Sequence, residues 1–278
     1  MEDLKGKTAV VTGAASGIGK ALAAKCCVEG MNVVLADVEE ATLAKTRAEL
    51  EQGGRKVISV VTDVSQPSAL DELARRTLDA FGGVELLFNN AGVGAGSTVW
   101  QSTLEDWTWV MGVNLWGVIH GIRTFVPIML KQNRPAHIVN TASIAGLMRG
   151  HNSAPYAVTK HAVVALTEHL ALEFARTRAP IKTSALCPSW VKTRIKESGR
   201  NRPASLLNKT ERESPPTPEM LKRWKKKLQD FVRSATPPTE IADVVFEEGI
   251  RQGKLYIVPH KETARYIKNR FEGIMRDV

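Results

Sequence analysis

Tyr156 and Lys160 stand four residues apart in a stretch with helical periodicity, so both side chains project from one face. A tyrosine of ordinary acidity, with a pKa of about 10, is a poor base at neutral pH. A neighbouring cation favours the phenolate and lowers that pKa. The pair can therefore pass a proton to or from a substrate oxygen. Ser143 follows the strand-like run 137–141, and its hydroxyl can hold such an oxygen against Tyr156. Oxidising a secondary alcohol removes a hydride as well as a proton, so this chemistry asks for a hydride acceptor. No step in it needs a metal.

A second group of residues meets that demand. Gly13, Ser16, Gly17, Ile18 and Gly19 follow the first apolar run and open the first helix pattern. Glycines at such a turn let backbone N–H groups approach a pyrophosphate, and the positive end of the helix faces it. Asp37 follows the second strand pattern, 24 residues after Gly13. A carboxylate there accepts hydrogen bonds from both ribose hydroxyls and repels a 2′-phosphate. Glu39 and Glu40 add negative charge, and the glycine loop holds no Arg or Lys. The expected cofactor is NAD rather than NADP. Each signal has a plainer reading. Asp37 can cap a helix, and Asp63, followed by Val64, can either cap the helix at Pro67 or contact adenine. Y-x-x-x-K alone occurs often by chance.

These residues need a scaffold that brings strand ends together. Strand patterns at 7–12, 32–36, 56–61, 84–88, 137–141, 181–186 and 255–258 alternate with helix patterns at 18–29, 39–52, 67–81, 103–131, 153–178, 239–251 and 262–275. Strands separated by helices of this length require crossovers, hence a parallel sheet covered on both faces. The expected fold is a doubly wound α/β sheet of the Rossmann type in one domain, 1–278. Residues 191–237 interrupt the rhythm with Pro203, Pro215, Pro216, Pro218 and Pro237 and with many charges. They read as an inserted substrate loop or lid, with a helix near 218–232.

Composition narrows the remaining classes. Cys26, Cys27 and Cys187 are odd in number and show no C-x-x-C spacing, so neither a disulfide framework nor a structural zinc site is expected. Of the net charge of +9, residues 191–278 carry +8, from 20 Lys/Arg against 12 Asp/Glu. The densest basic run, 222–227, reads as a solvated helix face, because no nucleic-acid recognition motif accompanies it. No membrane-spanning run of roughly 18–20 apolar residues is expected. The first strand pattern leaves no room for a signal peptide, so a cytoplasmic protein is expected.

Taken in order, the motifs resemble those of the short-chain dehydrogenase/reductase (SDR) family. They are Thr-Gly-x-x-x-Gly-x-Gly at 12–19, Asn89-Asn90-Ala91-Gly92 after the fourth strand, and Asn114 in a helix. Ser143, Tyr156-x-x-x-Lys160 and Pro188-Ser-Trp-Val191-Lys-Thr193 follow. The resemblance covers about residues 7–193 and implies a sheet of seven parallel strands. It makes Asn114, Ser143, Tyr156 and Lys160 a catalytic tetrad, with Asn114 serving a proton relay through water. It makes Gly13, Ser16, Ile18, Asp37, Asp63, Val64, Asn90, Tyr156, Lys160, Val191 and Thr193 cofactor contacts, joined by Gly17, Gly19, Ala91, Gly92 and Pro188 of the same motifs. It also implies a homo-oligomer, dimer or tetramer.

The family places its substrate in loops beyond the strand ends. Here those loops offer Val93, Ala145, Leu147, His151 and Trp190, beside the small residues Gly94, Ala95 and Gly96. Small residues leave volume, and apolar walls suit a bulky hydrophobic or aromatic alcohol or ketone. Leu147 and Trp190 can equally well only pack the insertion. Two alternatives stay open: a reductase of a steroid, sugar or acyl-thioester ketone, and an NAD(H)-sensing regulator.

Overall fold

The computed structural model describes residues 1, 3–150, 153–208, 219 and 235–278. Its strands are β1 (Thr8–Thr12), β2 (Asn32–Asp37), β3 (Val57–Val61), β4 (Leu86–Asn89), β5 (Ala136–Thr141), β6 (Ile181–Leu186) and β7 (Tyr256–Ile257). They form one sheet in the order β3-β2-β1-β4-β5-β6-β7, with every pairing parallel. The continuous apolar strands follow from burial on both faces: all five residues of β1 are buried. Ala9 and Val11 join a core cluster with Leu22, Ile241 and Phe246 on one face. Val10 joins Leu70, Leu73, Phe125 and Met129 on the other.

Helices α1 (Gly17–Val28), α2 (Glu40–Leu50) and α3 (Pro67–Phe81) provide the first crossovers. Proline opens α3, and Gly82, with φ of 72°, closes it in the left-handed conformation. The chain winds outward from β1 to β3 and then returns to β4 beside β1. That reversal opens a crevice at the carboxyl ends of β1 and β4, where ligands of such sheets bind.

The expected helical stretch 103–131 divides in three. Thr103 and Asp106 form a capping box at the start of α4 (Leu104–Met111). A π-turn, Gly112–Trp116, carries Asn114, and α5 (Gly117–Gln132) follows. The wider turn turns Asn114 fully inward. Contrary to expectation, Leu104–Gln132 is long and apolar enough, by length and composition, to cross a membrane. Its Trp109, Val110, Val118, Phe125 and Met129 are instead buried in the fold.

Helix α6 (Ala154–Thr177) is capped by Ser153, whose side chain accepts from Tyr156 N–H. After β6 come 3-10 turns at Ile195–Asn201 and Ala204–Leu206. The expected helix near 218–232 and the basic run 222–227 lie outside the described residues. The ends of the 191–237 segment meet in an isolated bridge, Val191 with Thr236. The expected helix 239–251 is α7 (Pro238–Val244) continued by a π-turn, Val245–Arg251. There Gly249 passes so close to β7 that a Cβ would come within 2.5 Å of Ile257. A short 3-10 turn leads into α8 (Ala264–Arg276).

Candidate active site

The turn from β1 to α1 is built on close approach. Gly13 has φ of 67°, and a Cβ there would lie 2.9 Å from Ala91 Cα. A Cβ on Gly19 would lie 2.1 Å from the Gly13 carbonyl oxygen, so this glycine serves packing of α1 on the turn rather than lining the crevice. Asn90 anchors the neighbouring strand end, donating from its amide to Thr12 O at 3.0 Å and accepting from Thr141 Oγ1 at 3.2 Å. Asp37 closes β2 with both carboxylate oxygens fixed: Oδ2 accepts from Ala15 N–H and Oδ1 from Glu39 N–H, each at 3.0 Å.

These elements frame a cavity of about 1540 Å³ that runs from the end of β2 to the loops beyond β5 and β6. Gly13, Ser16, Gly17, Ile18, Asp37, Asp63, Val64, Asn90, Ala91 and Gly92 line one end of it. Pro188, Val191 and Thr193 approach from the segment after β6. Gly17, with φ of 55°, faces Thr193, whose methyl would be 2.9 Å from an added Cβ. Asp63 lines the cavity and accepts from Ser65 N–H and Oγ–H; it is not the cap of α3, which is Gln66. A glycine turn against which no Cβ fits, a helix N-terminus and a fixed carboxylate at the next strand end suit a dinucleotide.

Ser143, Tyr156 and Lys160, the residues expected to move the proton, line this cavity, whereas Asn114 is fully buried and is not on its wall. Ser143 lies just after β5; its Oγ accepts from Ala145 N–H at 3.2 Å and donates to Pro188 O at 3.4 Å. Tyr156 lies in the first turn of α6, near the positive end of its dipole. Lys160 Nζ is 5.5 Å from the centre of the Tyr156 ring and donates to Thr141 O at 2.7 Å. The Asn114 amide holds the turn after β4, accepting from Val93 N–H at 2.8 Å and donating to Val93 O at 3.0 Å. It also donates to Thr159 Oγ1 at 3.3 Å.

Electrostatics here depart from the sequence reading. Burial pushes the Tyr156 phenol up, against the lowering pull of the Ser143 hydroxyl. Burial also pushes Lys160 down, from 10.5 to about 8. Desolvation is the leading cause of both shifts. Cys187, beneath them, is driven by burial up to about 12, so its thiol stays protonated and inert. Cys26 and Cys27 are likewise buried free thiols.

At the far end, Val93, Ala145 and Trp190 line the cavity with Gly94, Ala95 and Gly96. Leu147 does not: it is 7% exposed and packs in the core with Val163 and Val164. Its neighbour Met148 takes the cavity wall instead, because the 3-10 turn at Ile144–Gly146 aims Leu147 inward. His151 lies outside the described residues.

Sequence reasoning missed how the segment after β6 is held over the cavity. Arg202 pairs with Asp106 at 2.7 Å, with both side chains nearly buried, and lies 5.3 Å from the centre of the Trp109 ring. Gly94 N–H donates to Ser198 Oγ at 3.1 Å. His260 pins the base of the segment, accepting from Ser189 N–H at 3.1 Å and bonding Thr236 Oγ1 at 2.9 Å. The charges of 194–202 were visible; their partners, about a hundred residues away, were not.

The family model for short chain dehydrogenases matches residues 7–204. A CLA biosynthesis dehydrogenase/reductase of Lactiplantibacillus plantarum is 31% identical over 100% of this chain and 96% of its own length. A 1-deoxy-11-beta-hydroxypentalenate dehydrogenase of Streptomyces avermitilis is 40% identical over 68% of this chain and 70% of its own. Among solved structures, a short chain dehydrogenase/reductase from Burkholderia phymatum in complex with NAD is 45% identical. It superposes with a TM-score of 0.92 over 100% of this chain and 97% of that one. With its seven-stranded parallel sheet and these relatives, the chain belongs to the short-chain dehydrogenase family of oxidoreductases.

Proposed function

We propose that this chain is an NAD-dependent enzyme that interconverts a bulky, hydrophobic or aromatic secondary alcohol and its ketone. The observation that carries this reading is that Ser143, Tyr156 and the buried Lys160, whose Nζ is 5.5 Å from the Tyr156 ring centre, share one cavity with Asp37. Nicotinamide, when bound, supplies the hydride acceptor or donor. The cofactor end is formed by Gly13, Ser16, Gly17, Ile18, Asp63, Val64, Asn90, Ala91, Gly92, Pro188, Val191 and Thr193, with Asp37 directed at the ribose hydroxyls.

Tyr156 Oη is the proton carrier, taking the alcohol proton in oxidation and returning one to the ketone oxygen in reduction. Ser143 Oγ holds the substrate oxygen in line with it, and Lys160 supplies the positive charge that steadies the phenolate. Asn114 keeps the Val93 turn in place beside them. A raised phenol pKa leaves Tyr156 protonated at neutral pH. Reduction is therefore favoured toward neutral pH, and oxidation gains as the pH rises.

An apolar substrate is supported by Val93, Trp109, Met148, Trp190 and Leu206 on the cavity wall. A homo-oligomer is supported by the exposed Leu130 of α5 and by Val158 and Leu172 of α6. The test is Tyr156→Phe, assayed by the absorbance of reduced nicotinamide over a panel of secondary alcohols and ketones. Turnover should fall by about 10²–10⁴-fold, with NAD binding retained. Unreduced turnover in the variant would refute the proton-transfer role.

A further inference from the structure

Two residues beyond Asp37, Glu39 gathers the positive charge of the segment after β6. Its Oε1 accepts from Arg200 Nε at 2.9 Å and from Asn201 Nδ2 at 2.9 Å, and Arg200 Nη2 also reaches it. Its Oε2 accepts from Thr42 Oγ1 at 3.2 Å and lies 3.6 Å from Arg194 Nη1. The cluster is well ordered by its neighbours. Arg200 Nη1 donates to the carbonyls of Arg194 and Glu197 at 3.1 and 3.0 Å, and Arg194 also pairs with Glu197 at 2.9 Å. Glu39 keeps 16% of its side-chain surface and Arg200 26%. Burial alone would raise the Glu39 carboxyl, but the bonds from Asn201 and Arg200 and the Arg200 charge hold it below its ordinary value.

Asp37, Glu39, Arg194, Arg200 and Asn201 all line the same end of the cavity. Two guanidiniums at the ribose end are what a 2′-phosphate site is made of, since their planar forks bind phosphate oxygens in pairs. Here the Glu39 carboxylate binds Arg200 directly and lies 3.6 Å from Arg194, which Glu197 also holds at 2.9 Å. We infer that Glu39 is a selectivity residue for the cofactor, acting through Arg194 and Arg200. It turns a pair of arginines that would welcome a 2′-phosphate into a neutralised clasp that rejects it. Asp37 works by direct repulsion of the phosphate, whereas Glu39 works by engaging its would-be partners. The inference rests on the reading of this end as a dinucleotide site.

The test uses the full chain and measures the affinities of adenosine 2′,5′-bisphosphate and 5′-AMP by calorimetry, with NAD as a reference. Glu39→Gln keeps the side chain's size and its acceptor oxygen but removes the negative charge that neutralises the guanidiniums. It should raise affinity for the bisphosphate about tenfold or more while moving 5′-AMP much less. Adding Arg200→Ala to Glu39→Gln should take most of that gain away, which a merely structural role for Glu39 would not do. Arg200→Ala alone should bring no gain. Asp37→Ala should also improve bisphosphate binding, by a gain that Arg200→Ala does not cancel. An unchanged bisphosphate-to-AMP ratio in Glu39→Gln, or a gain that survives Arg200→Ala, overturns the inference while NAD binding stands. Failure of the unsubstituted chain to bind NAD removes the dinucleotide reading, and this inference with it.

Discussion

Replacing Arg202 with methionine asks whether the segment after β6 is held by a buried ion pair. Arg202 Nη1 donates to Asp106 Oδ1 at 2.7 Å, Nε to Leu206 O at 2.6 Å, and Nη2 to Asn208 Oδ1 at 2.8 Å. The side chains of Arg202 and Asp106 keep 10% and 6% of their surfaces. Methionine preserves the apolar stem against Trp109 and removes the charge. Asp106 would keep only longer contacts, with Thr103 N–H at 3.3 Å and Asn208 Nδ2 at 3.4 Å. Removing one partner of a buried pair costs about 3–5 kcal/mol when the other charge stays dry. The segment has an escape, however. It can lift from α4 and let water reach Asp106, which caps the global loss at about 1–3 kcal/mol. In thermal unfolding that is a fall of about 2–4 °C per kcal/mol. Trp109 and Leu206 line the substrate end, so lifting should raise KM about tenfold, more than it lowers kcat. Asp106→Asn added to Arg202→Met removes the orphaned charge and should recover part of the stability but not the KM. If Arg202→Met leaves both Tm and KM unchanged, the clasp is not what shapes the cavity.

Two further expectations follow from buried groups. His137, in β5, bonds Ser184 Oγ at 2.8 Å, and burial depresses its pKa from 6.5 to about 3. The unfolded chain takes up this proton below 6.5 and the folded chain does not. The stability it contributes is therefore present above 6.5 and is lost as the pH falls toward 3. The loss reaches about 2 kcal/mol by about pH 5, and denaturant titration of His137→Gln against the unsubstituted chain should show a flatter acid limb. A matching acid limb in the two would assign the effect elsewhere. Gly19→Ala would place a methyl 2.1 Å from the Gly13 carbonyl oxygen, a backbone atom that cannot swing aside. It should cost about 1–3 kcal/mol of stability and abolish NAD binding measured by tryptophan quenching; retained affinity would show that the turn adapts.

The fold was legible because its signals are local and repeated. β1, β2 and β4 are built on continuous apolar runs, and the helices between them carry their own stops, such as Gly82 after α3. Boundaries were less legible where tertiary packing overrides local preference. The π-turn at Gly112–Trp116 has no signature in GVNLW, yet it decides that Asn114 faces inward. The 3-10 turn at Ile144–Gly146 likewise decides that Leu147 fills the core and Met148 the cavity wall. A pattern of residue types shows which side chains are apolar. It does not show which of two adjacent apolar side chains a single tight turn will bury.

The site divides along the same line. Asp37 and the glycine turn act through their own backbone neighbourhood, and the structure places them on one cavity with Tyr156 and Lys160. The charge balance of Tyr156 was not legible. Spacing shows that a lysine stands near, but the sign of the shift depends on how much water each group loses, and that is a property of the packed interior. The clasp formed by Glu39, Arg200, Arg202 and Asp106 was hidden for another reason. Its pairs span 161 and 96 residues, and nothing local to Glu39 or Asp106 points to an arginine so distant in the chain. The basic character of the last third is thus partly internal. Arg194, Arg200 and Arg202 are engaged by Glu39, Glu197 and Asp106, which draw the segment across both the cofactor end and the substrate end. One segment thus carries separate ion pairs at both ends of the cavity, and on the proposed reading a change in how it sits would reach cofactor and substrate together.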